Sequence, residues 1–206
     1  MQDTKTITTY RQELSENILH TALKLFWKKG IKAVKMDDIA AQMSISKRTL
    51  YELYRNKEVL LLECLKLYQK QKKDALTNNI ESSQNVMDIM LKAYREKVDE
   101  SRYINPVIYS DIEKYPEVKK YINSQEHSSQ QDFVNYINRG IDEGFFRSDI
   151  NPELVCHLFD ALVRQIRTAQ LYRHYSVEVL LNNFLFISVR GLCTQKGVAV
   201  LDDFFK

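Results

Sequence analysis

Residues 36–60 constrain this chain more than any other stretch. They read MDDIAAQM, then SIS, then KRTLYELYRNKEVL: two short helical patterns joined by a three-residue turn. Two helices joined so tightly must touch, and they can touch only if their inner faces are apolar at helical spacing. Ile39, Ala40 and Met43 supply that face on the first helix, and Ile45 plugs the turn. Leu50, Leu53 and Tyr54 supply the i, i+3, i+4 stripe on the second. The residues left facing outward are Lys47, Arg48, Thr49, Tyr51, Glu52 and Arg55. Cations, donors and one aromatic are what phosphates and base edges call for.

The boundaries fit the same segmentation. Asp37 and Asp38 fall in the first turn of the first helix, where the positive helix end favours carboxylates. Ser46 is a good N-cap for the second helix, and Asn56 for the helix that follows. Lys57, just inside that third helix, works against its dipole. A bound phosphate would relieve the conflict, although an ordinary solvated lysine is the simpler reading.

Ile18 to Leu60 resembles the DNA-binding domain of TetR-family transcriptional regulators. An apolar first helix ending in glycine is carried by Ile18, Ala22, Leu25, Phe26 and Gly30. The Asp-Ile-Ala signature is Asp38, Ile39 and Ala40. The pattern Ser-x-x-Thr-x-Tyr-x-x-aromatic-x-x-Lys is Ser46, Thr49, Tyr51, Tyr54 and Lys57. The chain departs from the family at three positions: Lys35 where Ser or Thr usually caps, Ser44 where Gly often forms the turn, and Tyr54 where Phe usually closes the motif. Lys47 and Arg48, near the start of the second helix, are the candidate readers of base edges, Arg48 through its bidentate fork. Thr49, Tyr51 and Lys57 are the candidate phosphate contacts, with Ser46 beside them. The resemblance implies that Tyr51 also touches a base or a thymine methyl.

Charge is distributed in keeping with this. Residues 1–57 hold 11 Lys+Arg against 6 Asp+Glu, a net +5, and residues 58–206 carry −2. A basic head on a mildly acidic body suits a protein whose body does not compete for DNA. Five Gly and three Pro leave little turn chemistry for strands, so the expected fold is all-α. The expected division is a helix-turn-helix domain over 1–57 and an effector-binding and dimerisation bundle over 58–206. Cys64, Cys156 and Cys193 lack metal spacing and lie in apolar helical surroundings. They read as buried small hydrophobes in a reducing cytosol, and no cofactor or metal is expected. Residues 1–17 are polar, without a leader pattern, and no apolar run approaches a membrane span. The expected location is cytoplasmic. No Ser-His-Asp order, glycine-rich phosphate loop or metal pair accompanies the four histidines, so catalysis is not expected.

After Lys57 the chain reads as helices: 57 to about 78, 86 to about 101, one from Pro106, 117 to about 140, 152–172 and 176–194. Gly140, Gly144 and Ser148 read as a frayed end, and the tail from Gly197 carries no clear pattern. The stretch VEVLLNNFLFISVRGL is apolar on nearly every side, so it must be covered on every side. One face falls to the body, and the other to a second subunit or to a central monomer core. By resemblance the last two helices form a four-helix interface with their twin, with Leu158, Leu162, Ile166, Leu181, Phe184, Leu185 and Ser188 as candidates and Gly191 permitting close approach. The resemblance also puts a small-molecule pocket among the middle helices. Tyr94, Tyr109, Phe133 and Tyr136 are its candidate residues, rings with polar tips suited to an apolar or amphipathic effector.

The expected protein is a dimeric one-component regulator, in the repressor mode, on a near-palindromic double-stranded DNA operator. Two alternatives stand beside it: a related DNA-binding protein answering to a protein or acting architecturally, and a helical enzyme or adaptor with an incidentally basic head.

Overall fold

The computed structural model describes residues 2–128 and 130–206, and side chains over 10–125 and 130–206. All named elements among these residues are helical, as the scarcity of glycine and proline implies. They are α1 (Gln2–Lys29), α2 (Met36–Gln42), α3 (Lys47–Leu53), α4 (Lys57–Glu81), α5 (Val86–Ser101), α6 (Val107–Ile112), α7 (Pro116–Ser128), α8 (Gln130–Asp142) and α9 (Pro152–Thr168). A 3-10 turn (Leu171–Arg173) leads to α10 (Val177–Leu180), a π-helical stretch (Leu181–Phe186), α11 (Ile187–Leu192) and α12 (Gln195–Phe204). The helix expected over 117–140 is described as α7 and α8; the joint, Ser129, lies outside the described residues.

The chain divides into two compact units. The first is Met1–Asp74 with Tyr103–Ile122, and the second is Ala75–Arg102 with Asn123–Lys206. In the first, Ile18, Ala22 and Phe26 form a stripe one turn apart on α1. It packs in one buried cluster with Ile39 and Ala40 of α2, Leu50 of α3 and Leu60, Leu61 and Cys64 of α4. Ile108 of α6 and Val118 of α7 join the same cluster, so residues far along the chain belong to the unit that carries the helix-turn-helix.

The turn between α2 and α3 places Ser44 in the left-handed region at φ 54°. There its N–H donates to Ala41 O (3.1 Å), and that of Ile45 to Ala40 O (3.0 Å). A serine thus bears a conformation that suits glycine. Gly30 ends α1 at φ 84°, where only glycine fits twice over. A Cβ there would lie 2.4 Å from Val107 Cγ1.

The second unit is cored by Met87, Tyr94, Ile137, Phe146, Phe186, Val189 and Leu201, among others. Residues 144–147, expected to fray, are pinned: Thr194 N–H donates to Phe145 O and Arg147 N–H to Leu192 O, each 2.9 Å. The patternless tail is the helix α12. Thr194 caps it, Leu201 is buried, and the Phe204 ring stands 5.6 Å from that of Tyr94.

Replacing Gly30 with Ala should cost about 3 kcal/mol, from left-handed strain plus overpacking against Val107. Gly144 shares the positive φ but would place its Cβ in open space, so Gly144→Ala should cost only about 1 kcal/mol. Urea unfolding of both variants checks this, and equal losses would contradict the packing account.

Candidate functional site

The seven-residue α3 is held from both ends. At its start Ser46 Oγ accepts the Thr49 N–H at 3.0 Å, and the two hydroxyls lie 2.8 Å apart. Past its end, buried Tyr54 places its hydroxyl 2.6 Å from Ser15 Oγ on α1. Burial pushes the Tyr54 phenol above its ordinary pKa, against the Ser15 hydrogen bond. This bond gives the buried Tyr54 hydroxyl a partner within the fold. With Leu50 wholly buried, the face of α3 left in solvent carries Lys47, Arg48, Tyr51 and Glu52. Thr49 is half-buried, and Arg55 is exposed just beyond the helix.

Both candidate base readers are paired. Lys47 donates to the Asp37 carboxylate, and Arg48 Nε to Glu52 Oε1 at 2.8 Å one turn on. These pairs raise both cations' pKa values, mainly through the hydrogen bonds to Asp37 and Glu52. The pairs are exposed, and exposed ion pairs are weak, so a phosphate or guanine edge can replace the carboxylate.

The other predicted groups sit nearby in the same unit. Lys35 offers α2 no capping side chain, but Asp38 Oδ2 accepts the Lys35 N–H at 2.8 Å. Asn56 Oδ1 accepts the Val59 N–H at 2.9 Å and caps α4. Lys57, half-buried at that helix start, points its amine at Lys32 O, 3.5 Å away. Burial pulls its pKa down while the Asp111 and Asp38 carboxylates oppose. Asp111 on α6 is only 3% exposed. It accepts the Lys32 N–H at 2.8 Å and the Lys114 amine at 3.4 Å. No local pattern marked it, because its backbone partner is 79 residues away.

The second unit holds a cavity of about 610 Å³. Tyr94, Phe133 and Tyr136 line it. Tyr109 belongs to α6 in the first unit and is not among its walls. The Tyr94 hydroxyl donates to Asn182 Oδ1 (2.8 Å) and that of Tyr136 to Val86 O (2.9 Å). Burial pushes the Tyr136 phenol well above its usual range. Leu181 and Leu185, expected at an intersubunit face, also line the cavity. Of the other candidates for that face, Leu158 is exposed, while Leu162, Ile166, Phe184 and Ser188 are half-buried. Leu154 (66% exposed), Val163, Val179 and Ile187 (65%), none of them among the candidates for that face, put apolar surface on α9 to α11 into solvent.

The cysteines are buried. Burial pushes the Cys64 thiol up to about 12 and the Cys193 thiol up to about 11, and raises that of Cys156. Among the described residues no His, Cys, Asp and Glu cluster could hold a metal ion, and no helix is long and apolar enough to cross a membrane. Thiols held protonated and buried should be slow toward Ellman's reagent at pH 8. The native protein should release thionitrobenzoate far more slowly than the same protein in guanidinium, where all three thiols report. Rapid native labelling of any thiol would contradict this burial.

A helix-turn-helix head presenting a cationic face, with a helical body enclosing a cavity, defines a regulator of transcription. Residues 18–64 match the family model described as bacterial regulatory proteins, tetR family, so the helix-turn-helix of the first unit is that of a tetR-family transcriptional regulator. The transcriptional repressor KstR2 of Mycobacterium tuberculosis is 27% identical over 149 residues, covering 67% of this chain and 72% of that protein. The uncharacterized regulator YezE of Bacillus subtilis is 24% identical over 62% of this chain and 70% of its own. Among solved structures, a TetR-family regulator from Agrobacterium tumefaciens superposes with a TM-score of 0.70 at 14% identity, covering 89% of this chain and all of that one. The ketosteroid regulator KstR2 of M. tuberculosis superposes at 0.57 with 21% identity, over 88% and 95%.

Proposed function

We propose that the chain is a one-component repressor that binds a near-palindromic operator as a homodimer and leaves it when a mostly apolar small molecule enters the second unit's cavity. The observation that carries the reading is α3: its apolar side is buried, and its cations and Tyr51 are in solvent. The repressor mode is supported by the KstR2 relatives. The effector is supported by a cavity whose size lies within the range of small-molecule sites.

In this reading Arg48 and Lys47 exchange Glu52 and Asp37 for base edges, and Tyr51, Thr49, Ser46 and Lys57 hold the backbone. Two heads related by a two-fold axis read two half-sites. The effector acts only by binding better to the state whose heads are wrongly spaced.

Arg48→Ala should lose roughly 10- to 100-fold in operator affinity and relax specificity at one position. Lys57→Ala should weaken operator and random DNA alike and lower the salt slope by about 1. Fluorescence anisotropy across a salt series separates the two. Equal loss on operator and random DNA for Arg48→Ala would remove it from base reading.

The proposed dimer rests on the exposed Leu154, Leu158, Val163, Val179 and Ile187. Gly191 has open space around it. Because a two-fold interface repeats each patch, Ile187→Glu places two carboxylates in one contact. Sedimentation should show the variant as monomer with native helicity and without operator binding. A wild-type monomer at micromolar concentration would refute the dimer.

A further inference from the structure

We infer that the cavity of the second unit selects a lipophilic cation: an apolar body, with rings, carrying a protonated amine or quaternary ammonium group at one end. This rests on the effector-cavity reading above and names the chemistry that the site takes. The walls are apolar almost throughout, and their polar groups are unevenly committed. The Tyr94 and Tyr136 hydroxyls both donate within the protein, so neither is free to donate to an anionic head.

The remaining charged groups are Asp132, Asp160 and Lys97. Lys97 directs its ammonium to Glu100 Oε2 at 3.4 Å. Among the described residues no cation pairs with either carboxylate: Asp160 accepts a hydrogen bond from Gln130 Nε2 at 3.0 Å, and Asp132 is exposed. Each carboxylate adjoins a ring in the chain, Asp132–Phe133 on α8 and Phe159–Asp160 on α9. The rings of Phe133 and Phe159 lie 5.4 Å apart. Ring faces attract a cation that has shed part of its water, and a carboxylate nearby favours it further. An anionic head would meet two like charges against one cation, Lys97, that already faces Glu100, and a neutral one would gain from the apolar walls alone.

Three probes sharing one ring system isolate the head group: (2-naphthylmethyl)trimethylammonium, 2-naphthalenemethanol and 2-naphthoate. Calorimetric titration of the full-length protein should rank them cation, alcohol, carboxylate, with the cation at least about tenfold tighter than the alcohol. In the Asp132→Asn/Asp160→Asn double variant that gap should fall below about threefold while the alcohol's affinity stays put. The unchanged alcohol also reports that the cavity is intact; a variant that loses all three probes is replaced by the two single variants, each expected to narrow the gap. An alcohol that binds as well as the cation, or a gap that survives both carboxylate changes, overturns the cation assignment and leaves the effector cavity standing. Binding of none of the three to the folded wild-type protein overturns the cavity reading as well.

Discussion

A seven-residue helix has almost no stability of its own in water, because nucleation is costly and few hydrogen bonds repay it. The proposed reading head α3 therefore exists only because Leu50 and Tyr54 are drawn out of water against α1, α2 and α4. Burying a leucine side chain contributes about 1.5–3 kcal/mol, a large share of what so short an element needs. The Ser46 cap and the Tyr54–Ser15 contact then set where the helix begins and how its end is anchored. Ser44 bears a left-handed turn so that Ile45 can enter the same cluster. Everything polar about α3 is what this burial leaves over, and the cations reach solvent because the apolar stripe cannot.

The last long helix works under the opposite constraint, being apolar on nearly all sides. Leu181 and Leu185 turn toward the cavity, while Val179 and Ile187 face solvent. The π-helical stretch Leu181–Phe186 carries the cavity pair and lies between Val179 and Ile187, and Asn182 within it accepts the Tyr94 hydroxyl. A π turn takes in an extra residue and shifts the side chains that follow. Cavity wall and proposed dimer face thus share one helix.

What the sequence made legible was local. The caps at Ser46 and Asn56, the stripe on α3 and the helix start at 152 depend on residues within a turn or two of each other. The structure has each of them. Asp111 was invisible because its partners are Lys32, far away, and Lys114, whose spacing is ordinary. Tyr109 was assigned to the cavity by its place among the middle helices, but the Ile108 beside it packs with the first cluster. Leu181 and Leu185 carry the same apolar character as Ile187, and nothing in a helix apolar all round tells inside from outside. α12 escaped notice because its burial rests on Leu201 and Gly197 meeting other elements, not on a visible stripe.

The account stands or falls on whether the exposed face of α3 reads DNA. The most direct measurement is a footprint on the DNA flanking the chain's own gene, with affinity followed against salt beside random DNA of equal length. The account predicts protection of one near-palindromic stretch, bound at least about 10³-fold tighter than random DNA, with log affinity falling linearly in log salt. Equal affinity for both DNAs at every salt concentration, with no protected stretch, would contradict it.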